Sequence, residues 1–116
     1  MGQEIEIRLE TLGSITLFDI KGDMTVVSEP FVEEAYKNAN DQGTSKILLK
    51  FDQNAYINSG GIAVLIQLLA ETKRNNQQIG LTGLSGHFTK IFNMVGITKF
   101  ASIYNTVEEG LERLSA

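Results

Sequence analysis

Residues 46–70 read KILLKFDQNAYINSGGIAVLIQLLA, and the change of pattern inside them sets the architecture. Lys46 to Phe51 is a short, nearly unbroken apolar run, the pattern of a central strand covered on both faces. A polar loop follows from Asp52 to Asn58. Ile62, Leu65, Ile66 and Leu69 then fall at i, i+3, i+4 and i+7, which is one stripe of a helix. Val64 and Leu68 widen that stripe, either as further core or as a partner surface, and core is the simpler reading. A strand that runs through a loop into a helix is the unit of an α/β fold.

Working outward, residues 3–9 alternate Ile5, Ile7 and Leu9 with Glu4, Glu6 and Arg8, a strand with one wet face. Gly13 and Ser14 make a turn. Ile15, Leu17 and Ile20 continue as a second strand, paired with the first as a hairpin. Ser28-Glu29-Pro30 opens a helix, with Ser28 as its cap and Pro30 in the first turn. Phe31, Val32, Ala35 and Ala39 supply the buried face of that helix, and Asn40 to Gly43 ends it. Beyond the central unit, Ile79 to Leu84 reads as a strand. Ser85 caps a third helix that carries Phe88, Ile91, Phe92 and Val95 on one side. Gly96 sits where a left-handed residue closes a helix, with Ile97 folding back. Phe100 to Tyr104 is a last strand, and Thr106-Val-Glu-Glu109 is a capping box for a final helix buried through Val107, Leu111 and Leu114. The order ββαβαβαβα predicts a single α/β domain over residues 1–116, with a mixed, mostly parallel sheet and helices packed on it.

The 116 residues contain no cysteine, so disulfides, thiol nucleophiles and thiolate-held metals are excluded. Ten Lys and Arg against 14 Asp and Glu give a net charge of −4. The basic residues are scattered, which argues against direct nucleic-acid binding. The start, MGQEIEIRLE, has no signal-peptide pattern, and the apolar run from Gly60 to Ala70 is too short for a membrane span. A cytoplasmic protein with no membrane contact is expected.

The chemistry that can be read sits in Tyr56-Ile57-Asn58-Ser59-Gly60-Gly61-Ile62, where the loop after the central strand enters a helix. Functional groups of open α/β sheets gather beyond the carboxyl ends of strands, and a helix start offers free amides and partial positive charge. Asn58 can cap this helix. Gly60 and Gly61 leave room for another molecule to approach the backbone. Ser59 has two readings. It caps the helix, as Ser commonly does, or it accepts a phosphoryl group. A phosphate would add about −1.5 to −2 charges and repel a partner packed against the same surface, with no change of fold. Catalytic readings fail on spacing: there is no Gly-Lys-Ser/Thr and no Gly-x-Ser-x-Gly. His87 is the single histidine and reads as a polar position in the first turn of the third helix. Without a second His or Cys it anchors no typical metal site. Asp19, Asp23 and Asp52 are placed to gather near one sheet end, although Asp is also an ordinary turn residue. A binding domain with no enzyme activity, no metal and no cofactor is expected.

Three segments together resemble the STAS family, whose bacterial members include anti-sigma factor antagonists. They are Gly22-Asp23 after the second strand, Ile47 to Asp52 running on to Tyr56 to Ile62, and Phe92-Asn-Met-Val-Gly-Ile97 with Phe100 and Val107 to Leu111. The resemblance covers nearly the whole chain. It implies that Ser59 matches the serine phosphorylated with ATP by a partner kinase that is itself the anti-sigma factor. The unphosphorylated form would bind that kinase, and a serine phosphatase would reset the switch. It also implies a contact surface of Asp23, Asn58, Ser59, Gly60 and Gly61. Two positions depart from the family's Asp-Ser-Ser/Thr-Gly signature: Asn58 stands for Asp, and Gly60 for the second hydroxyl. Kinase recognition can differ for that reason, and either change can mark a chain that binds constitutively. The alternatives are a STAS adaptor or scaffold in another signalling or transport system, with Ser59 only a cap, and a small enzyme or ligand-binding domain. A monomer or weak dimer is expected. The first strand can pair with another copy at a sheet edge, although its charged residues work against this.

Overall fold

The computed structural model describes residues 4–116, so the start of the first alternating run, at Gln3, lies outside the described residues. The alternation itself becomes β1 (Glu6–Leu12), three residues longer at its far end than the pattern suggested. A two-residue turn at Gly13-Ser14 leads into β2 (Ile15–Lys21). There follow α1 (Glu29–Asp41), β3 (Lys46–Phe51), α2 (Ser59–Arg74) and β4 (Gln78–Thr82). The chain ends in α3 (Gly86–Met94), a two-residue β5 (Ser102–Ile103) and α4 (Val107–Ser115). The five strands lie in sequence order across one sheet. Only β1 and β2 are antiparallel, and the other pairs are parallel. The expected order ββαβαβαβα and the mixed, mostly parallel sheet are both present.

Strand periodicity divides the core into two layers. Phe18, Ile20, Ile47, Leu49, Phe51, Ile79 and Leu81 face one way and pack with residues of α1, α2 and α3. Ile15, Leu17 and Leu48 face the other way, where Leu114 of α4 meets them. Leu48 is the one β3 residue buried in that second layer. Three helices therefore cover one face of the sheet and a single nine-residue helix covers part of the other.

Several sequence expectations change at this level. Ser28 holds the N-cap position of α1 and Pro30 lies in the first turn, but the Ser28 side chain makes no capping hydrogen bond. Ser28 closes a 3₁₀ turn, Val26–Ser28, where its buried hydroxyl accepts from the Thr25 amide at 3.0 Å and reaches the Asp23 carbonyl at 3.4 Å. Phe31 is exposed and Tyr36 takes its place in the core, because the face of α1 that meets the sheet runs through Val32, Ala35, Tyr36 and Ala39. The Tyr36 hydroxyl donates to Gln77 Oε1 at 2.6 Å and accepts from Asn75 Nδ2 at 2.8 Å, tying the middle of α1 to the segment that closes α2. Ile66 and Val95 are exposed too, while Val64 and Leu68 are core. β4 stops at Thr82 and β5 is shorter than expected. Gly96 is left-handed, φ +83°, and Ile97 is buried, as the sequence indicated. At α4, Thr106 accepts from the Glu109 amide at 3.0 Å, but Glu109 reaches back to the Asn105 amide rather than to that of the cap residue.

Leu48 joins β3 to α4, so Leu48→Ala leaves a cavity in the smaller layer. We expect a loss of about 2–5 kcal/mol, measured by urea unfolding.

Candidate functional site

The loop from Asp52 to Asn58 is polar enough to lie at the surface, yet Ile57 within it is buried. Ile57 forms an isolated parallel bridge with Met24, in the connection between β2 and α1. The Met24 amide donates to the Tyr56 carbonyl at 2.9 Å, and the Asn58 amide donates to the Met24 carbonyl at 3.2 Å. Asp23 adds a third tie, its carboxylate accepting from the Tyr56 amide at 3.0 Å. The two loops therefore meet at the carboxyl end of the parallel strands and aim the start of α2 outward. Met24 itself is buried.

The close approach depends on Gly61. A Cβ there would run into the backbone carbonyl of Met24, so only glycine lets the helix begin against this loop. Gly60 is less constrained; a Cβ would lie 3.1 Å from the Cβ of Val26.

Asn58 is the cap of α2. Its extended backbone precedes the helix, and its Oδ1 accepts from the Gly61 amide at 2.9 Å. The Asn58 carbonyl takes the Ile62 amide at 2.9 Å. Ser59 is then the first helical residue. It is exposed, and its hydroxyl makes no hydrogen bond among the described residues. The reading of Ser59 as the cap is therefore overturned: a residue at the first helical position cannot reach forward to amides already held by Asn58. No acidic residue lies in the first turn of α2, and Lys73 and Arg74 lie in its last. The start of the helix thus presents a nucleophilic-type hydroxyl, partial positive charge and no local carboxylate on the helix to oppose an added anion.

The structure brings Asp23, Asn58, Ser59, Gly60 and Gly61 to one end of the sheet. Asp23, Asn58 and Gly61 are committed to holding the loops and the cap, while Ser59 is uncommitted. Sequence reasoning missed the apolar rim. Val26 and Val27 are 64% and 73% exposed, and Val26 sits against Gly60. Tyr56 is 58% exposed and meets the Phe88 ring edge-on at 6.3 Å, and the His87 ring also meets Phe88 edge-on, at 5.0 Å. Two adjacent valines outside any periodic stretch were the signal available.

The three aspartates do not converge. Asp19 and Asp52 line a cavity of about 440 Å³ with Lys50, Thr82 and Asn105, and Ser59 is not among its lining residues. Asp23 is bound to the other loop. Among the described residues no group of His, Cys, Asp or Glu is arranged to hold a metal ion. No described helix is long and apolar enough to cross a membrane.

Comparison with known proteins places this geometry. The STAS domain family model matches residues 6–110. The anti-sigma-B factor antagonist of Staphylococcus aureus (strain NCTC 8325 / PS 47) is 21% identical over 95 residues, covering 80% of this chain and 88% of that protein. The crystal structure of an anti-sigma factor antagonist from Mycobacterium paratuberculosis superposes with a TM-score of 0.80 at 16% identity, covering 97% of this chain and 96% of that one. The Bacillus cell fate determinant SpoIIAA in its phosphorylated form superposes with a TM-score of 0.66 at 17% identity, covering 93% and 98%.

The division of labour between Asn58 and Ser59 separates on unfolding. Asn58→Ala is expected to cost about 1 kcal/mol, whereas Ser59→Ala stays within about 0.5 kcal/mol of wild type. Gly61→Ala, forced against Met24, is expected to cost about 1–3 kcal/mol. Thermal and urea denaturation check all three, and equal losses for Asn58 and Ser59 would contradict the assignment of the cap.

Proposed function

The chain belongs to the STAS domain family, and from that premise we propose that it is an anti-sigma factor antagonist-like binding switch whose state is set at Ser59. The observation that carries this reading is the Ser59 hydroxyl, exposed and unbonded at the first position of α2 because Asn58 does the capping. In the unphosphorylated state the surface around it is partly apolar, with Val26, Val27 and Tyr56 exposed. Such a surface suits close packing against a protein partner. The partner is an anti-sigma factor that is also a serine kinase, and its capture by this chain frees a sigma factor.

The switch step is transfer of the γ-phosphoryl group of ATP to Ser59 Oγ. The hydroxyl proton is lost, the bond to the β-phosphate oxygen breaks, and ADP leaves. The kinase supplies the catalytic groups; this chain is the substrate and needs no enzyme activity or cofactor of its own. The product carries about −1.5 to −2 charges and three strong acceptors. The α2 amides of Ser59 and Gly60, which precede the first intrahelical donor, the Ile62 amide, can donate to those oxygens in the free protein. The bound partner would have to desolvate them, so the complex loses affinity while the fold is kept. A serine phosphatase restores the hydroxyl. This cycle belongs to the cytoplasm, where ATP is available.

Asn58 and Gly60 shape the same step. Asn58 keeps the capping oxygen without the charge that Asp would place beside the phosphate, and Gly60 leaves Ser59 the only hydroxyl in the motif. They also favour a second reading, an adaptor or scaffold STAS domain that binds a signalling or transport partner by the same face without being modified.

Incubation with the cognate kinase and ATP, followed by mapping of the phosphate, tests the proposal at one residue. Ser59→Asp is expected to weaken kinase binding about tenfold or more, a shift of about 1.4 kcal/mol, and Ser59→Ala to bind normally but resist release by ATP. A Ser59→Asp protein that binds as tightly as wild type overturns the switch and leaves the adaptor.

A further inference from the structure

Among the described residues β1 pairs with β2 alone, so its outer edge carries open backbone groups. The two-residue turn makes Leu12–Ile15 the first pair of the hairpin, which is the hydrogen-bonded kind in such turns. Leu12, Glu10, Arg8 and Glu6 therefore direct their amides and carbonyls toward β2, and Thr11, Leu9 and Ile7 direct theirs to the free edge. Side chains divide by the same parity. Ile7 and Leu9, with Ile5, Phe31 and Ala35, line an open groove of about 320 Å³ between β1 and α1. Glu6, Arg8 and Glu10 are exposed on the opposite face.

We propose that β1 pairs with β1 of a second copy of this chain, antiparallel about a two-fold axis through Leu9, so that the two sheets become continuous. Outward backbone groups meet outward groups only when the axis passes through a residue, which leaves few registers. With the axis at Arg8, the two guanidinium groups face each other and Glu6 faces Glu10. At Glu10, two carboxylates meet. At Ile7, Arg8 faces Glu6, but Glu10 is thrown opposite Glu4. At Leu9, all seven strand residues pair. Arg8 then faces Glu10 of the other copy twice, Leu9 faces Leu9, and Ile7 faces Thr11. Opposite charges directly across a strand pair attract and like charges repel, so the charges that discourage other neighbours select this one. Among the described residues Arg8 makes one ion pair, with Glu6 at 3.6 Å, exposed on both sides and weak; Asp19 stands opposite it on β2 but forms no ion pair with it. In this arrangement Ile7 and Leu9 of each copy are covered along the groove. The contact is one strand and one groove, small for a stable interface, so the dimer exchanges readily. α2 packs on the Val26–Ser28 turn, α1 and β4 rather than on β1, and each dimer presents two Ser59 sites.

Sedimentation equilibrium of the whole chain tests the assignment. We expect a monomer–dimer equilibrium that weakens as salt is raised. Arg8→Glu and Glu10→Arg should each weaken self-association about tenfold, because like charges then face each other twice. An equimolar mixture of the two variants should recover it, as should the chain carrying both changes, since opposite charges again meet. Both positions are exposed, and unchanged thermal unfolding would show that the variants fold. A wild-type chain that stays monomeric, a dimer indifferent to these charges, or a mixture that fails to recover overturns the proposal. None of these outcomes bears on phosphorylation of Ser59.

Discussion

The backbone of Met24 lies directly against Gly61, and the site end of the molecule is built around that contact. It lets the connection between β2 and α1 run beside the loop after β3, with backbone hydrogen bonds to Tyr56 and Asn58. It also seats the buried Met24 side chain beneath them. A side chain at residue 61 would separate the two loops and remove those hydrogen bonds together. Asp23 reinforces the same junction from the side. Rigid loops matter here because a surface that recognises a partner loses affinity when it must first be ordered.

The junction divides labour between neighbours. Asn58 spends its side chain inward, on the Gly61 amide, and Ser59 is left outward with nothing to hold. A helix start tolerates an added anion better than most surface positions, so a modification there changes what the surface attracts while leaving the core untouched. The exposed valines and Tyr56 give the same region apolar area. Under the proposed switch, a partly apolar patch with one modifiable oxygen would combine adhesion with a means of cancelling it.

Much of this was legible from residue order. Lys46–Phe51 and the Asn58–Gly61 turn stand out because a change from continuous to helical periodicity is a local property. The candidate position of Ser59 followed from that boundary. Which residue caps the helix did not, since Asn and Ser are both good caps and only the backbone at Asn58 decides between them. Phe31, Ile66 and Val95 were misplaced for a different reason. A helical stripe has a width, and which edge of it is covered depends on how far neighbouring elements reach. Ser28 looked like a cap because a Ser before Glu-Pro is a common helix start, but the preceding 3₁₀ turn took its hydroxyl. Val26 and Val27 acquire meaning only once the fold sets them beside Gly60.

The sheet also acts as a partition. α4 and its small apolar layer lie on one side, and α2 with Ser59 lies on the other. Glu112 on α4 is exposed, so a fluorophore or an immobilising linker attached there would leave the proposed recognition surface free. The molecule thus has a natural handle, and surface-capture instruments can hold it by its back while its front meets candidate partners.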